Sequence, residues 1–356
     1  MSRFPALRSI RKLSGFTVVE LLVAVAISIL LLTGVMTLFA NSRTGYERND
    51  RLAQIQENGR FALEMIARDV RAAGYWGCAK RTAAKPLKNT LAGSSGLLWN
   101  YAIPIEGFDA TSTAWSPSIS SVAPLNTDGA VIGNDILVVR GPQWNRIPQR
   151  LQASMTTGTS TISVYQNSSY PTMSAGDIAI AASCDQASVF KVTSVTPGSS
   201  GSPDVIAHTS PGTPAAGDNS SADIGNRFYA DIAEVFPVQT TVYFVKASTT
   251  GNSLFRRIGT NAPEEIIPGV DSFELQYGVD TNADRLADDY LSAGSVTSWD
   301  QVVSVRVGLL VRSLDSYGPD IDAQTRTLLD ASIPAFNDRM QRQMFTTTAT
   351  VRNRVF

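Results

Sequence analysis

Histidine is almost missing from this sequence. His208 is the only one among 356 residues, in the loop-like segment VIAHTSPGTP. No second imidazole is available to complete a zinc site. Neither a Gly-x-Ser-x-Gly elbow nor a Gly-rich phosphate loop with its Lys occurs. The serines are linker-like, and no pair of carboxylates stands out as acid and base, so no enzymatic activity is expected. Charge is sparse and balanced: 30 basic and 31 acidic residues give a net −1. That balance excludes a general nucleic-acid binder, and no direct nucleic-acid binding is expected. Only two cysteines occur, Cys78 and Cys184. If that region is exported, an even count suggests one disulfide closing a loop of about a hundred residues. The alternative is two unrelated buried thiols. Chain entropy puts such a closure at roughly 4–5 kcal/mol.

Long apolar runs are scarce too, with one exception. Residues 16–40 are almost wholly apolar, and Glu20 is their only charge. At 1.5 Å per residue this run is long enough to cross about 30 Å of hydrocarbon. Arg3, Arg8, Arg11 and Lys12 precede it with no acid among residues 1–15. That bias keeps the start cytoplasmic and exports the rest. A secretory signal has a shorter apolar stretch followed by a small-residue cleavage site. Here the run is too long, and the small residue, Gly15, comes before it. A carboxylate at Glu20 costs about 2.5–3.5 kcal/mol in the middle of a membrane helix, so it calls for a partner.

A basic leader, then GFTVVE, then about twenty apolar residues resembles the class III signal of type IV pilins and pseudopilins. The resemblance implies cleavage between Gly15 and Phe16 by a prepilin peptidase, followed by N-methylation of Phe16. It also implies that Glu20 meets the N-terminus of a neighbouring subunit. Such a pairing offsets the desolvation of both charges and fixes axial register more than it adds stability. A plain signal anchor is the bland alternative. The block ENGRFALEMIARDVRAAGYWGC (57–78) resembles the segment after the anchor in PilW-type minor pilins, large low-abundance subunits of the type IV pilus. GDIAIAASCDQASVFKVTSV (176–195), GVDSFELQYGVDTNAD (269–284) and FTTTATVRNR (345–354) resemble further blocks of that family.

Beyond residue 40 the sequence turns polar yet keeps a helical period. Leu52, Ile55, Gly59, Ala62, Ile66 and Val70 form an apolar stripe. Glu64 and Arg68 form an i,i+4 pair. Gly34, Gly45 and Gly59 are read as bends, and Gly74 with Gly77 as the stop. One helix from about Phe16 to Ala73 is expected. Strands are expected at 135–140, 160–166, 177–182, 188–195, 240–247, 253–259, 272–279, 301–313 and 343–353; residues 81–130 and 196–226 are rich in Ser, Gly, Thr, Ala and Pro, and PGSSGSP and SPGTPAAGDNSS within the second stretch read as linkers or loop tips. In 301–313, Val303, Val305, Val307, Leu309 and Val311 share one face and Ser304, Arg306, Gly308 and Arg312 the other. Helix 41–73 is the obvious cover for the apolar side. The fold class is thus α+β, a pilin-like long helix on an antiparallel sheet with a large β-rich insertion. The regions are a cleaved leader (1–15), a membrane and filament-core helix (16–40), an amphipathic helix (41–73), an insertion (74–227) and a C-terminal sheet region (228–356).

Two polar features remain. DTNADRLADDY places Asp280, Asn282, Asp284 and Asp288 at positions 1, 3, 5 and 9 of a loop, a spacing that suits Ca2+. Arg285 and Leu291 stand where a calcium loop has Gly and Glu, so the match is partial and a solvated acidic turn is the alternative. No other cofactor is expected. Arg339, Arg342, Arg352 and Arg354 form either a basic patch for DNA or, as the sequence favours, a solvated strand face. The functional expectation is a minor pilin held in the bacterial inner membrane with its body in the periplasm, then built into a pilus. It would support twitching, adhesion and DNA uptake indirectly. Its partners would be prepilin peptidase, other minor pilins, the major pilin and the inner-membrane assembly platform. The rivals are a J-type minor pseudopilin of type II secretion and a membrane-tethered adhesin.

Overall fold

The computed structural model describes residues 15–79, 87–166, 173–199, 201–316 and 321–355. The chain divides into two compact units, Met1–Ala53 and Gln54–Phe356. The described part of the first is residues 15–17 followed by helix, the start of α1 (Val18–Ala72). The last turns of α1 belong to the second unit, which is otherwise mainly β.

Strands β1 (Lys88–Asn89), β2 (Ile105–Ala110) and β3 (Trp115–Ser116) precede a short helix, α2 (Leu125–Asp128). Then come β4 (Ile136–Pro142), β5 (Gln149–Arg150), β6 (Ile162–Val164), β7 (Ile178–Ala182), β8 (Ala187–Lys191), β9 (Ser194–Thr196) and β10 (Asp204–Ala207). The C-terminal part holds β11 (Glu234–Ser248), β12 (Gly251–Ile258), β13 (Glu264–Pro268), β14 (Val270–Val279), β15 (Asp289–Leu291) and β16 (Val302–Arg312). A hairpin of β17 (Arg326–Leu328) and β18 (Ala331–Ile333) follows, then β19 (Arg342–Thr350) and a last helical turn, α3 (Arg352–Val355). The α+β class is as expected.

The sheets do not divide at residue 227. One ten-stranded sheet runs β1-β8-β7-β11-β4-β2-β3, with β5, β12 and β13 attached. Strand β11 is its spine: its first half pairs with β7 and its second half with β4 and β12. Strands of the expected insertion and of the C-terminal region therefore share one sheet. The reason lies in β11 itself, whose side chains are buried almost without alternation and so need cover on both faces. Pro237 sits between the residues paired by β5 and those paired by β4, where that edge of the ladder is interrupted.

A second sheet has the order β15-β14-β16-β19, and β16 is buried over most of its length rather than alternating, with Val302 and not Val303 in the core that holds its later valines. Val305, Val307, Leu309 and Val311 lie in one core with Ile55, Ala62, Ile66 and Val70 of α1, so the apolar stripe covers this sheet as its period requires. Leu137, Val139, Tyr243 and Val245 of the larger sheet join the same core. The other face of β16 is not simply polar: Leu310 is buried with Leu328 and Ile333 of the β17–β18 hairpin.

Polar ties fix the end of α1. Asp69 is buried and accepts hydrogen bonds from Tyr243 Oη at 2.7 Å and Trp144 Nε1 at 2.8 Å. Burial, with the Asp69 carboxylate second, pushes the Tyr243 phenol well up. Arg68 lies over the Trp144 ring, 5.1 Å from its centroid. Arg140, buried on β4, donates to Ile103 O and to Glu106 Oε1, both at 2.6 Å, and to Leu97 O. It thereby holds the loop 97–106, within the Ser/Gly/Pro-rich stretch 81–130. Leu91, Tyr101, Phe108 and Leu125 of the same stretch are buried. The Cys78–Cys184 disulfide joins the chain just after α1 to the turn between β7 and β8.

Carboxylates gather where the two sheets meet. Asp135 is buried; Ala110 N donates to it at 2.7 Å and Leu275 N at 2.8 Å. Glu274 is 7% exposed and accepts from Ser272 Oγ at 2.6 Å. Burial first, then the negative charges of Asp330 and Asp109, raise the Glu274 carboxyl to about 7, and burial followed by Glu274 pushes Asp135 well up. On the outer face, Asp338 is held at about 2 chiefly by its hydrogen bonds from Arg342.

Gly59 is not a bend in α1 but a packing contact. A Cβ there would lie 2.5 Å from ring carbons of Phe345, whereas one at Gly45 would meet nothing within 4 Å. Gly59→Ala is expected to cost about 1–3 kcal/mol by overpacking, which outweighs the roughly 1 kcal/mol gained in helix propensity. Gly45→Ala is expected to increase helix stability; thermal melts of both variants check the opposite signs. A second expectation concerns pH. Glu274 holds its proton more tightly folded than unfolded, so stability is greatest below pH 4.5 and falls as pH rises through about 7. The loss is on the order of 3 kcal/mol. Asp338 acts oppositely, losing its stabilisation only as pH falls from 3.8 towards about 2. Urea melts at pH 5 and pH 8 therefore isolate the carboxylate cluster, and Glu274→Gln should flatten most of the difference.

Candidate functional site

Gly15, Phe16 and Thr17 are non-helical and exposed, and α1 begins at Val18. The bond between Gly15 and Phe16 thus lies outside the helix, in extended reach of another protein. Thr17 and Glu20 close a reciprocal capping box. Glu20 Oε2 accepts from Thr17 N at 3.1 Å and Thr17 Oγ1 at 3.0 Å, and Glu20 N donates to Thr17 Oγ1 at 3.2 Å. This satisfies amide hydrogens that a helix start leaves without partners. The signature Thr-x-x-Glu stands in the sequence, and reading Glu20 only as an isolated charge missed it.

Behind the cap the helix surface is apolar all round. Sixteen large apolar side chains between Phe16 and Phe39 are exposed. This is far beyond the few hundred Å2 of apolar patch usual on a soluble monomer, and it marks an interaction surface. The hydroxyls within it turn inward: Ser28 donates to Ala24 O and Thr33 to Ile29 O, both at 2.7 Å, and Thr37 to Gly34 O at 2.8 Å. Such back-bonding leaves no hydroxyl hydrogen to be desolvated in an apolar medium. Among the described residues, α1 is the one helix long and apolar enough to cross a membrane. That is compatible with a single membrane anchor.

The other sequence-derived positions have different settings. The four loop side chains do come together, but their oxygens are engaged by the loop itself. Asp280 accepts from the backbone N–H groups of Asn282, Ala283 and Arg285, and Asp284 from that of Leu286. Asp288 accepts from Thr281 N and Oγ1 and from Asn282 Nδ2, and the hydrogen bonds from Thr281 hold its carboxyl down. Among the described residues no group of three or more His, Cys, Asp or Glu side chains is arranged to hold a metal.

His208 is buried, not displayed on a loop tip. Its ring lies edge-on to Phe190, with Nε2 at 2.8 Å from Ser160 O and Nδ1 at 3.1 Å from Ala222 O. Nor is there a C-terminal arginine patch containing Arg342. That guanidinium is 1% exposed and bound to Asp271, Asp322 and Asp338, over the Phe336 ring. Arg339 and Arg352 are exposed, and the Arg354 side chain lies outside the described residues. An open hollow beside α2, lined by Trp115, Ile119, Leu125 and small polar residues, contains no titratable group.

Compared with known proteins, residues 242–353 match the family model described as Type IV Pilus-assembly protein W. No curated protein and no solved structure matches the chain. The matched residues, under a third of the chain, run from within β11 through β19. They contain two of the resembling blocks, 269–284 and most of 345–354, and neither α1 nor the cysteines. The match supports the PilW family and is separate from the motif at Gly15, Phe16 and Glu20.

Proposed function

We propose that this chain is a minor pilin. A prepilin peptidase cuts between Gly15 and Phe16, and Phe16 is methylated. The chain rests in the bacterial inner membrane through residues 16–40 with its body in the periplasm, and then enters a type IV pilus. One observation carries this reading: a sixteen-residue apolar display that opens with Gly15, Phe16 and Glu20, on a chain whose C-terminal part matches a pilus-assembly family. Membrane lipid covers such a surface before assembly, and the same helices of other minor pilins and the major pilin cover it afterwards. The assembly platform makes that exchange. No reaction is part of this role.

The position of the cut fits the helix start. The mature chain keeps Thr17 and Glu20, so removing residues 1–15 leaves the cap whole. The new amine on Phe16 lies near the cap. In a filament core it needs an opposite charge, and Glu20 of an adjacent subunit supplies one.

Mass spectrometry of sheared pili tests processing and incorporation together: a peptide beginning at N-methylated Phe16 is expected. Substitutions at Glu20 separate its two roles. Glu20→Val removes cap and charge; Glu20→Gln keeps a capping side chain and removes the charge. Both are expected to reach the membrane and be cleaved, and both to be depleted from pili, read by immunoblot of pilus and membrane fractions. Wild-type incorporation of both variants would remove the Glu20 charge from the mechanism. Loss of secreted enzymes rather than surface pili in a deletion strain would move the chain to a secretion system.

A further inference from the structure

The four-stranded sheet ends in β19, and among the described residues only β16 pairs with it. The phase of that ladder is fixed at both ends. Ser313 N donates to Gln341 O and Val351 N to Val303 O, each at 2.8 Å. Register between β16 and β19 runs without a bulge. Alternation in an antiparallel pair then turns the backbone of 343, 345, 347 and 349 towards β16. The N–H and C=O groups of Met344, Thr346, Thr348 and Thr350 point off the sheet, and these four residues are exposed.

Exposed edges are usually blunted by shortness, charge or proline. The other edges here follow that rule. β1 and β3 have two residues each and β15 three; β13 carries Glu264 and Glu265 and ends at Pro268. β19 has nine residues, no proline and one charge, and that charge, Arg342, is folded back into Asp271, Asp322 and Asp338. What it offers is an uncharged run of Met, Phe, Thr and Ala with exposed Arg339 beyond one end and exposed Arg352 beyond the other.

We propose that the outer edge of β19 receives an extended strand of another exported protein, which becomes the fifth strand of this sheet. Main-chain hydrogen bonds supply the affinity in such strand addition, and flanking side chains supply the choice of partner. The flanks define the occupant: uncharged and β-branched in the middle, acidic at both ends. A second copy of this chain fits poorly, because antiparallel pairing of β19 with itself sets Arg339 beside Arg352 at each end. The inference goes beyond the pilus role and does not depend on it, since binding is read on purified protein.

The probe is a synthetic peptide of alternating Thr and Val with acidic ends, titrated onto the full chain in detergent micelles. It is expected to bind, and a basic-ended counterpart to bind at least about tenfold more weakly. N-methylation of alternate core amides in the peptide should cost about tenfold or more, because it removes edge hydrogen bonds. Thr348→Pro deletes an outward N–H and none of the β16 ladder, so it should lose about tenfold with an unchanged melting temperature. Thr348→Ala keeps the N–H and should stay within about threefold. No binding of the acidic-ended peptide, equal binding of its N-methylated form, or loss in Thr348→Ala equal to that in Thr348→Pro overturns the proposal. Self-association through β19 without peptide binding overturns the choice of occupant. If Thr348→Pro does not fold, the N-methylated peptide decides alone.

Discussion

Fifteen exposed apolar side chains on the first turns of α1, with Phe16 just ahead of them, impose a constraint that this chain does not meet by itself. At about 25 cal/mol per Å2, leaving such a surface in water costs far more than a domain's net stability. An apolar medium, lipid or other helices, would relieve it, which is compatible with a membrane anchor. The chain's polar atoms are arranged for that medium: the first amides are capped by Thr17 and Glu20, and the hydroxyls of Ser28, Thr33 and Thr37 bond back to the helix. In the proposed role, a helix prepared in this way would pass from bilayer to protein surroundings without rearranging its own hydrogen bonds.

The rest of α1 answers the opposite requirement. From Gln54 onwards it lies in the body, where one stripe is buried and the other side is wet. Two sheets meet under that stripe, and the contacts there are specific in shape and charge. Phe345 needs the bare backbone of Gly59. Tyr243 and Trp144 need the Asp69 carboxylate. The disulfide follows directly after the helix and secures the chain to the β7–β8 turn of the larger sheet. The C-terminal end of α1 is thus held by packing and hydrogen bonds, with a covalent link just beyond it.

What could be read from sequence follows from the range of each signal. The helix, its stripe and β16 have strong periods, and all three stand where the pattern puts them. Strand β11 was recognised only in its second half, because Pro237 and the lack of alternation hid the first. Its pairing with β7 and β4 joins residues far apart, and no local pattern states that. The buried residues of 87–130 are single Leu, Tyr and Phe side chains among Ser, Gly and Pro, with no period to betray them. Arg342 read as surface charge because its three aspartates come from 271, 322 and 338, brought together only by folding.

In the proposed role Glu20 would serve both its own helix and a neighbouring subunit. A carboxylate has two oxygens and about four acceptor sites. Both hydrogen bonds that Thr17 gives Glu20 go to Oε2. Capping therefore uses one oxygen and fixes the direction of the other, at a cost in side-chain entropy already met by the cap. In the proposed filament, a cation arriving from a neighbouring subunit would meet an oriented acceptor rather than a mobile one, and less freedom would be lost on pairing. An uncapped glutamate on the same apolar surface would have to be both desolvated and ordered at that moment. On that reading the capping box would turn a charge that is costly in an apolar helix into a prepared half of a pair.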